Sequence, residues 1–317
     1  MSQNSHLSHA KRSQLKELTR LGWVHSTPLI KREITHIKSH PPLEVLLKRD
    51  GLMYTTPQGL YGANKIRKLN YVLPHLLKGK INALSTVGSE GSHHVLATIT
   101  AARQLGIDTY VALTPQPHSE HSIGVYEQIK QLATGVHHLS VNEPHHFQNE
   151  LTKWRLNHDP TRVAFIPTGG SSVYGVFGMV EGVYELVSQL DEGCFNGPTE
   201  LYIATASGSS LAGLLLGLSL AWPAHQTPPL VIAVRVASKA LVNRQKVRRL
   251  YQEAAQILQY SEPPPQLSIL GDFLGEGYAI PTQRSQKALN WGHSQGVYFD
   301  PTYTAKAFGA LLHREMR

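Results

Sequence analysis

The sequence predicts an α/β protein whose sheets are mostly parallel. Short apolar segments alternate with helical stretches of about 10–15 residues, a pattern typical of parallel strands joined by right-handed helical crossovers. The apolar segments lack strict alternation of polar and apolar residues, as expected for strands covered on both faces. At 317 residues the chain is long enough for one large domain or two smaller ones.

Short apolar runs mark the strands, and periodic apolar residues behind a small or capping residue mark the helices. The predicted strands span Leu43–Lys48, Ala83–Val87, Thr109–Leu113, Val136–Leu139, Val163–Ile166, Leu201–Thr205 and Leu230–Val234. The predicted helices span Ser13–Leu21, Asn64–Leu77, Ser92–Leu105, Ile123–Leu132, Pro144–Leu156, Tyr174–Leu190, Ser209–Ala221 and Lys239–Tyr260. A further helix is expected shortly after the Asp300-Pro301 turn.

Composition excludes several classes of protein. There is no run of about 18 apolar residues, so we expect no membrane span, and the polar N-terminus does not resemble a secretory signal. Cys194 is the only cysteine, which rules out an intrachain disulfide and a cysteine zinc cluster and favours the cytoplasm. The net charge of +8 alone suggests nucleic acid, but the basic residues are spread out without a recognition motif, so we expect no nucleic-acid partner.

The first candidate motif is Tyr61–Leu69, which reads Tyr-Gly-Ala-Asn-Lys-Ile-Arg-Lys-Leu. Gly62 and Asn64 lead directly into a predicted helix, so Lys65 falls in the first helical turn. The positive end of the helix dipole disfavours a charged amine there, which benefits a lysine that acts as a neutral nucleophile. The alternative is a solvated basic turn.

Two turns rich in glycine and serine follow predicted strands. Ala206–Gly213 opens an apolar helix, and its small residues and N–H groups suit a phosphate, although it could equally be a turn for tight packing. Gly88–His94 suits a carboxylate resting on backbone N–H groups, with Ser92 available for proton transfer. Since adjacent histidines such as His93 and His94 do not face each other on a helix, we expect no metal site.

The fourth motif is Phe299–Ala307, where a turn at Asp300 precedes a helix. Tyr303 and Thr304 could be ordinary residues of a first helical turn. They also supply an aromatic ring and a neutral hydroxyl, which a bound heteroaromatic ring would need beside it.

These segments resemble, in order and approximate spacing, motifs of the aminocyclopropane-carboxylate deaminase/D-cysteine desulfhydrase family. That family belongs to the tryptophan-synthase-β-like, fold-type II, pyridoxal-phosphate enzymes. The resemblance covers about residues 43–312. The similar motifs are K-R-D at Lys48–Asp50, G-G-N-K-x-R-K-L at Gly62–Leu69, S-N-H-V or S-N-Q-T at Ser92–Val95, T-G-S-T-x-A-G at Ala206–Gly213 and D-P-V-Y-T-G-K at Asp300–Lys306.

The resemblance implies a fold-type II architecture of two three-layer domains with the cofactor, pyridoxal 5'-phosphate, in the cleft between them. Residues 82–166 would form the smaller α/β domain, and residues 1–81 and 167–317 the larger, cofactor-binding domain. Lys65 would form the internal Schiff base and later move the substrate proton.

The family pattern also implies roles for the other motif residues. Tyr303 would lie against the pyridine ring, Thr304 would hydrogen-bond its nitrogen, and Tyr278 would face the substrate. Catalysis would depend on Lys65, Ser92, Tyr278 and Tyr303. The cofactor would be bound by Lys65, Asn64, His93, Ala206, Ser207, Gly208, Ser209, Ser210, Tyr303 and Thr304. The small amino-acid substrate would be bound by Ser92, His93, His94 and Tyr278.

Position 304 distinguishes two activities. The aminocyclopropane deaminases typically have Glu there, which keeps the pyridine nitrogen protonated, whereas Thr304 is neutral and resembles the desulfhydrase-like members. A weaker electron sink suits β-elimination to a 2-keto acid and ammonia, which is the predicted reaction. His93 replaces a family Asn, so the substrate preference could differ from both.

The sequence also permits three other functions. One is ring opening of aminocyclopropane-carboxylate, and another is a different fold-type II lyase or a racemase. The family continues past the last predicted helix into a strand and a small-residue loop, so a C-terminally shortened, weakly active relative that binds pyridoxal phosphate or an amino acid is a third. The family also implies a homodimer.

Overall fold

The computed structural model describes residues 15, 17–34, 42–53, 62–139, 150, 152–155, 157–159, 162–193 and 197–315. The strands are β1 (Leu29–Ile34), β2 (Leu43–Lys48), β3 (Ala83–Ser89), β4 (Asp108–Thr114), β5 (Gly135–His138), β6 (Val163–Ile166), β7 (Glu200–Thr205), β8 (Leu230–Arg235) and β9 (Leu267–Leu270). The main helices are α1 (Asn64–Leu76), α2 (His93–Gln104), α3 (Glu120–Leu132), α4 (Val173–Glu192), α5 (Ser209–Ala221), α6 (Arg244–Ile257), α7 (Gln283–Ser294) and α8 (Thr304–Glu315).

The chain divides into two units, and the boundary between them falls within α4. Residues 1–17, 26–50 and 179–317 form the first unit, and residues 18–25 and 51–178 form the second. The predicted smaller domain, residues 82–166, lies wholly within the second unit, which also contains residues 18–25, 51–81 and 167–178. The reason is packing: Ile66, Leu69 and Leu73 of α1 are buried in the same core as Leu84 of β3.

The second unit is built on a four-stranded parallel sheet with the order β5-β4-β3-β6. Its central strand β3 is buried from Ala83 to Gly88, which accounts for its lack of polar alternation. Helix α2 buries Val95, Leu96 and Ile99 against β4 and α3. Parallel strands end at one edge of a sheet, and the turn that follows β3 at this edge carries Ser92.

The first unit contains a parallel sheet, β7-β8-β9, and an antiparallel hairpin, β1-β2. One face of the parallel sheet packs on α8 through a cluster that contains Val234, Val236 and Phe273. The hairpin packs through Ile34 on a second cluster that contains Phe299 and Phe308.

Polar contacts hold the Lys-Arg-Asp segment, which begins at the last residue of β2. The Lys48 ammonium forms an ion pair with Glu185 of α4 and donates to Gln189 Oε1 at 2.9 Å. Thr27 Oγ1 donates to Asp50 Oδ1 at 2.8 Å and thereby fixes the other side of the segment. These contacts fasten the hairpin to α4 and give the segment a structural role.

The α/β class with parallel sheets and each of the seven predicted strands are confirmed, with end points that differ by at most two residues. Strands β1 and β9 and helix α7 were not predicted from the sequence. The helix expected from Lys239 begins at Arg244, because Asn243 caps it by accepting from the Lys246 N–H. The predictions for Ser13–Leu21 and Pro144–Leu156 lie partly outside the described residues, and Cys194 lies wholly outside them. In the described ranges, no helix has the length and apolar character needed to span a membrane.

Candidate active site

The lysine motif forms a tight turn in the second unit. Lys65 is the second residue of α1, which confirms its expected place in the first helical turn. Its Nζ donates to Asn64 Oδ1 at 2.8 Å, and both side chains are partly exposed. The amine is therefore accessible and held at a defined position by its neighbour.

Ala63, the residue before α1, has an unusual backbone conformation. Its φ of 42° and ψ of −134° lie in a region that strongly favours glycine. The family motif has glycine at this place, so this chain tolerates a strained alanine directly before the lysine turn. Glycine is also required at Gly62, because a side chain there would overlap Ile66.

The backbone of α1 is held in place by two glycine contacts. A side chain at Gly178 of α4 would overlap the Arg67 carbonyl, so this glycine permits close contact between the two helices. The buried Lys68 ammonium donates to the Gly169 carbonyl at 2.9 Å. Both contacts fix the first two turns of α1, on which the position of Lys65 depends.

Ser92 is the N-cap of α2 and is buried. Its Oγ accepts from the Val95 N–H at 3.4 Å. A Cβ at Gly88 would lie 2.6 Å from that oxygen, so glycine is needed at the end of β3. The turn thus places a hydroxyl and the N–H groups of a helix start together, as an anion site requires.

His94 is a neutral imidazole inside the second unit. Thr86 Oγ1 donates to the Ile166 carbonyl at 2.9 Å and lies 3.0 Å from His94 Nε2. Nδ1 has no hydrogen-bond partner among the described residues. Burial first, and then the charges of Lys68 and Lys65, lower the pKa of His94 to about 3. His94 is therefore neutral at pH 7, while His93 is partly exposed.

The serine-rich turn of the first unit joins β7 to α5. Gly208 has a φ of 101°, a left-handed conformation that favours glycine. No side chain caps α5, and the Oγ of the fully buried Ser209 has no hydrogen-bond partner among the described residues. A buried hydroxyl without a partner at an uncapped helix start is an arrangement that suits a bound anion.

Tyr278 and Tyr303 form a pair in the first unit. Their hydroxyl oxygens lie 2.7 Å apart, and the rings meet edge to face. Burial, followed by Tyr278 and Asp300, raises the pKa of Tyr303 well above its usual value. Tyr303 therefore stays protonated at neutral pH. Ala206 and Tyr303 pack on the same apolar cluster, which brings the serine turn close to this pair.

Thr304 is the first residue of α8 and is exposed. Its Oγ1 donates to Asp300 Oδ2 at 2.7 Å, and the same carboxylate accepts from the N–H groups of Thr302, Tyr303 and Thr304. Asp300 thus caps α8. The sequence predicts only a turn at Asp300, although an Asp ahead of a helix is also a recognisable capping signal.

The comparison with known families decides the identity. The model of the family described as "Pyridoxal-phosphate dependent enzyme" matches residues 21–317. The chain belongs to this family. It is therefore an enzyme that uses pyridoxal phosphate, and the predicted cofactor is confirmed.

Two differently named groups of enzymes are among the relatives. The chain is 28% identical over 307 residues to D-cysteine desulfhydrase of Yersinia enterocolitica, covering 94% of this chain and 89% of the relative. It is 32% identical over 271 residues to a putative 1-aminocyclopropane-1-carboxylate deaminase of Pyrococcus horikoshii, covering 85% of this chain and 78% of that one. The resemblance found in the motifs is thereby confirmed.

Solved structures of family members have the same fold. An ACC deaminase homologue matches with a TM-score of 0.78 and 26% identity, covering 97% of this chain and 90% of the other. Diaminopropionate ammonia lyase of Escherichia coli matches with a TM-score of 0.62 at 14% identity, covering 98% and 80%. The fold-type II architecture is confirmed.

The residues present fit the family's cofactor. The buried hydroxyl of Ser209 and the uncapped start of α5 provide unfilled donors for a phosphate. Lys65 provides an accessible amine next to Asn64. The predicted site residues divide between the two units: Asn64, Lys65, Ser92, His93 and His94 belong to the second, and Ala206–Ser210, Tyr278, Tyr303 and Thr304 belong to the first.

Proposed function

We propose that the protein is a D-cysteine desulfhydrase-like lyase that converts a small β-substituted amino acid to a 2-keto acid and ammonia. With D-cysteine and water, the balanced products are pyruvate, ammonia and hydrogen sulfide. The observation that carries the proposal is the Lys65 amine, which Asn64 Oδ1 holds at 2.8 Å in the first turn of α1. The similarity to the Yersinia D-cysteine desulfhydrase supports the choice of substrate.

The bound cofactor supplies an electron sink for the elimination. The chain's own residues bind, orient and move protons. The N–H groups at the start of α5 and the Ser209 hydroxyl would hold the phosphate, and Lys65 would carry the cofactor. Ser92, at the start of α2, takes the substrate carboxylate. Lys65 Nζ removes the proton from the substrate α-carbon.

The hydroxyls of Tyr278 and Tyr303 donate and accept protons in the proposed reaction. Because Tyr303 stays protonated, it can donate to the Tyr278 oxygen 2.7 Å away. That hydrogen bond stabilises negative charge on Tyr278, which makes Tyr278 the group that exchanges a proton with the substrate's leaving group. Thr304 has a neutral hydroxyl and is not an acid that could keep the pyridine nitrogen protonated. This agrees with β-elimination.

An absorption spectrum with added pyridoxal phosphate tests the lysine, and an assay tests the reaction. We expect a visible band in the wild type and in K80A, an exposed lysine of the same unit, and none in K65A. Sulfide and pyruvate should form from D-cysteine in equal amounts. A band without sulfide release would refute D-cysteine as the substrate. A band that persists in K65A would refute Lys65 as the residue that carries the cofactor.

Ring opening of 1-aminocyclopropane-1-carboxylate is the second candidate, supported by the 32% identity to the Pyrococcus protein. The two activities are separated by assaying 2-oxobutanoate from the cyclopropane substrate beside sulfide from D-cysteine. We expect sulfide release to dominate. Cyclopropane deamination without sulfide release would replace the desulfhydrase proposal.

We also propose that the protein works in the cytoplasm as a homodimer. The single cysteine, which permits no intrachain disulfide, supports a reducing compartment. The relationship to the family supports the dimer. Light scattering of the holoenzyme should give a mass of about twice the 35.0 kDa chain, and a stable monomer would contradict the assembly.

A further inference from the structure

Lys306 is a buried cation that the proposed chemistry does not use. It is the third residue of α8, and only 1% of its surface is exposed. Its Nζ donates to the Leu274 carbonyl at 2.7 Å and to the Gly277 carbonyl at 3.2 Å. Burial lowers its pKa, and no carboxylate among the described residues pairs with it. Its interactions are thus made with one backbone segment.

That segment runs from Gly271 to Pro281, between β9 and α7, and has no regular secondary structure. The backbone hydrogen bonds within it are long, at 3.4 Å from Leu274 N to Gly271 O and from Ile280 N to Gly277 O. Ala279 has a φ of 63°, a left-handed conformation that is uncommon for alanine. A segment with weak internal bonds and a strained residue needs an external tether.

Tyr278 lies between the tethered Gly277 and the strained Ala279. Its hydroxyl meets that of Tyr303 at 2.7 Å, and Tyr303 lies immediately before α8. The Ala307 N–H donates to the Tyr303 carbonyl at 3.0 Å, so Tyr303 belongs to the same rigid turn as Lys306. The ammonium therefore connects the segment that carries one tyrosine to the helix that carries the other.

We propose that Lys306 is a positioning residue that holds Tyr278 in hydrogen-bond contact with Tyr303. Its effect on catalysis rests on the proposed function, whereas its effect on the 271–281 segment does not. Methionine could fill the same volume but could not donate to two carbonyls. Arginine could donate, so it should restore part of the contact.

Hydrogen exchange of the holoenzyme tests the tether without any assay. In K306M we expect peptides that cover residues 271–281 to exchange at least about tenfold faster, while peptides from α5 keep their rates. K287M, which changes an exposed lysine of α7, is the control and should exchange like the wild type. Unchanged exchange of the segment in K306M would overturn the proposal. If K306M does not fold, K306Q serves in its place.

Kinetics test the link to Tyr278. We expect K306M to keep the visible cofactor band and to lose about 10- to 100-fold in kcat with a smaller change in KM. The double variant K306M/Y278F should be no slower than Y278F, since both changes remove the same contact. K306R should recover part of the rate. Additive losses in the double variant would overturn the positioning role.

The two proposals fail in distinguishable ways. If the wild type forms the cofactor band but releases no sulfide, the desulfhydrase proposal fails. Hydrogen exchange of K306M still decides whether Lys306 holds the segment. If sulfide is released and neither exchange nor kcat changes in K306M, the positioning role alone is refuted.

Discussion

At the scale of single residues, the environment of a side chain decides its chemistry. Lys65 and Lys68 are three residues apart in one helix, yet Lys65 is partly exposed beside Asn64, whereas Lys68 is buried and bonded to a backbone carbonyl. His93 and His94 are adjacent, yet His94 alone is enclosed. Sequence motifs identify such residues, but burial separates those that can react from those that support them.

Replacing Ala63 with glycine should stabilise the protein. Strain at a φ of 42° costs about 1–3 kcal/mol, and the greater freedom of unfolded glycine offsets about 0.5–1 kcal/mol of the relief. We expect A63G to raise the free energy of unfolding by about 1 kcal/mol in a denaturant titration. A133G, at a residue with a φ of −73°, is the control and should lower it. A loss in A63G equal to that in A133G would show that Ala63 is unstrained.

The enclosed His94 should make stability depend on pH. Its pKa is about 3 in the folded protein, against the usual 6.5 of histidine in an unfolded chain, so the unfolded chain binds more protons between these values. The stability contributed by neutral His94 is complete above pH 6.5 and is lost as pH falls toward 3. Between pH 6.5 and 5 the loss approaches about 2 kcal/mol.

Urea titrations at pH 7 and 5 measure this effect. H94Q should show a smaller fall in unfolding free energy between the two pH values than the wild type, whereas H225Q, at an exposed histidine, should behave like the wild type. An equal fall in H94Q and wild type would mean that His94 is not the group responsible.

At the scale of elements, helix starts provide most of the candidate site. The lysine turn begins α1, Ser92 caps α2, Ser209 begins α5 and Tyr303 precedes α8. The N–H groups of a helix start are unsatisfied within the helix, which suits anions. Because glycine, serine and capping residues mark such positions locally, the sequence could identify all four.

Replacing Ser209 with alanine should separate cofactor affinity from stability. The hydroxyl has no partner in the described protein, so S209A should leave the stability of the cofactor-free protein unchanged or slightly higher. Affinity for pyridoxal phosphate, followed by its absorption band, should fall about tenfold, because a hydrogen bond to a charged group is lost.

A second serine of α5 is the control for this experiment. Ser219 Oγ lies 3.1 Å from Tyr251 Oη and donates to the Leu215 carbonyl at 3.2 Å. S219A should therefore lower stability without changing cofactor affinity. Equal affinities in S209A and wild type would place the phosphate elsewhere.

At the scale of the whole molecule, part of the basic charge behind the net charge of +8 is enclosed or paired. Arg67, Lys68 and Lys306 are buried, and the ammonium of Lys48 is paired with a carboxylate. These cations serve packing and tethering, so they are not available to a polyanion.

We therefore expect no steep salt-dependent binding to nucleic acid. Fluorescence anisotropy with labelled duplex DNA at about 50 mM and 200 mM salt would measure it. Binding that weakens by several orders of magnitude between these concentrations would contradict the expectation and revive the nucleic-acid hypothesis.

The sequence by itself determined the parallel α/β class, the position of Lys65 in its helical turn and the family. These features depend on local periodicity, on glycine and capping residues, and on short motifs, all of which are visible within about ten residues of chain. Helix α7 was missed because it has few buried residues to mark its period.

Only the tertiary structure decided which polar groups are enclosed and which segments are tethered. His94 is neutral because residues of β3 and of the segment after β6 surround it, and Lys306 reaches carbonyls about 30 residues earlier in the chain. The physical reason is that desolvation and hydrogen bonding depend on neighbours in space. A sequence pattern reports only neighbours along the chain.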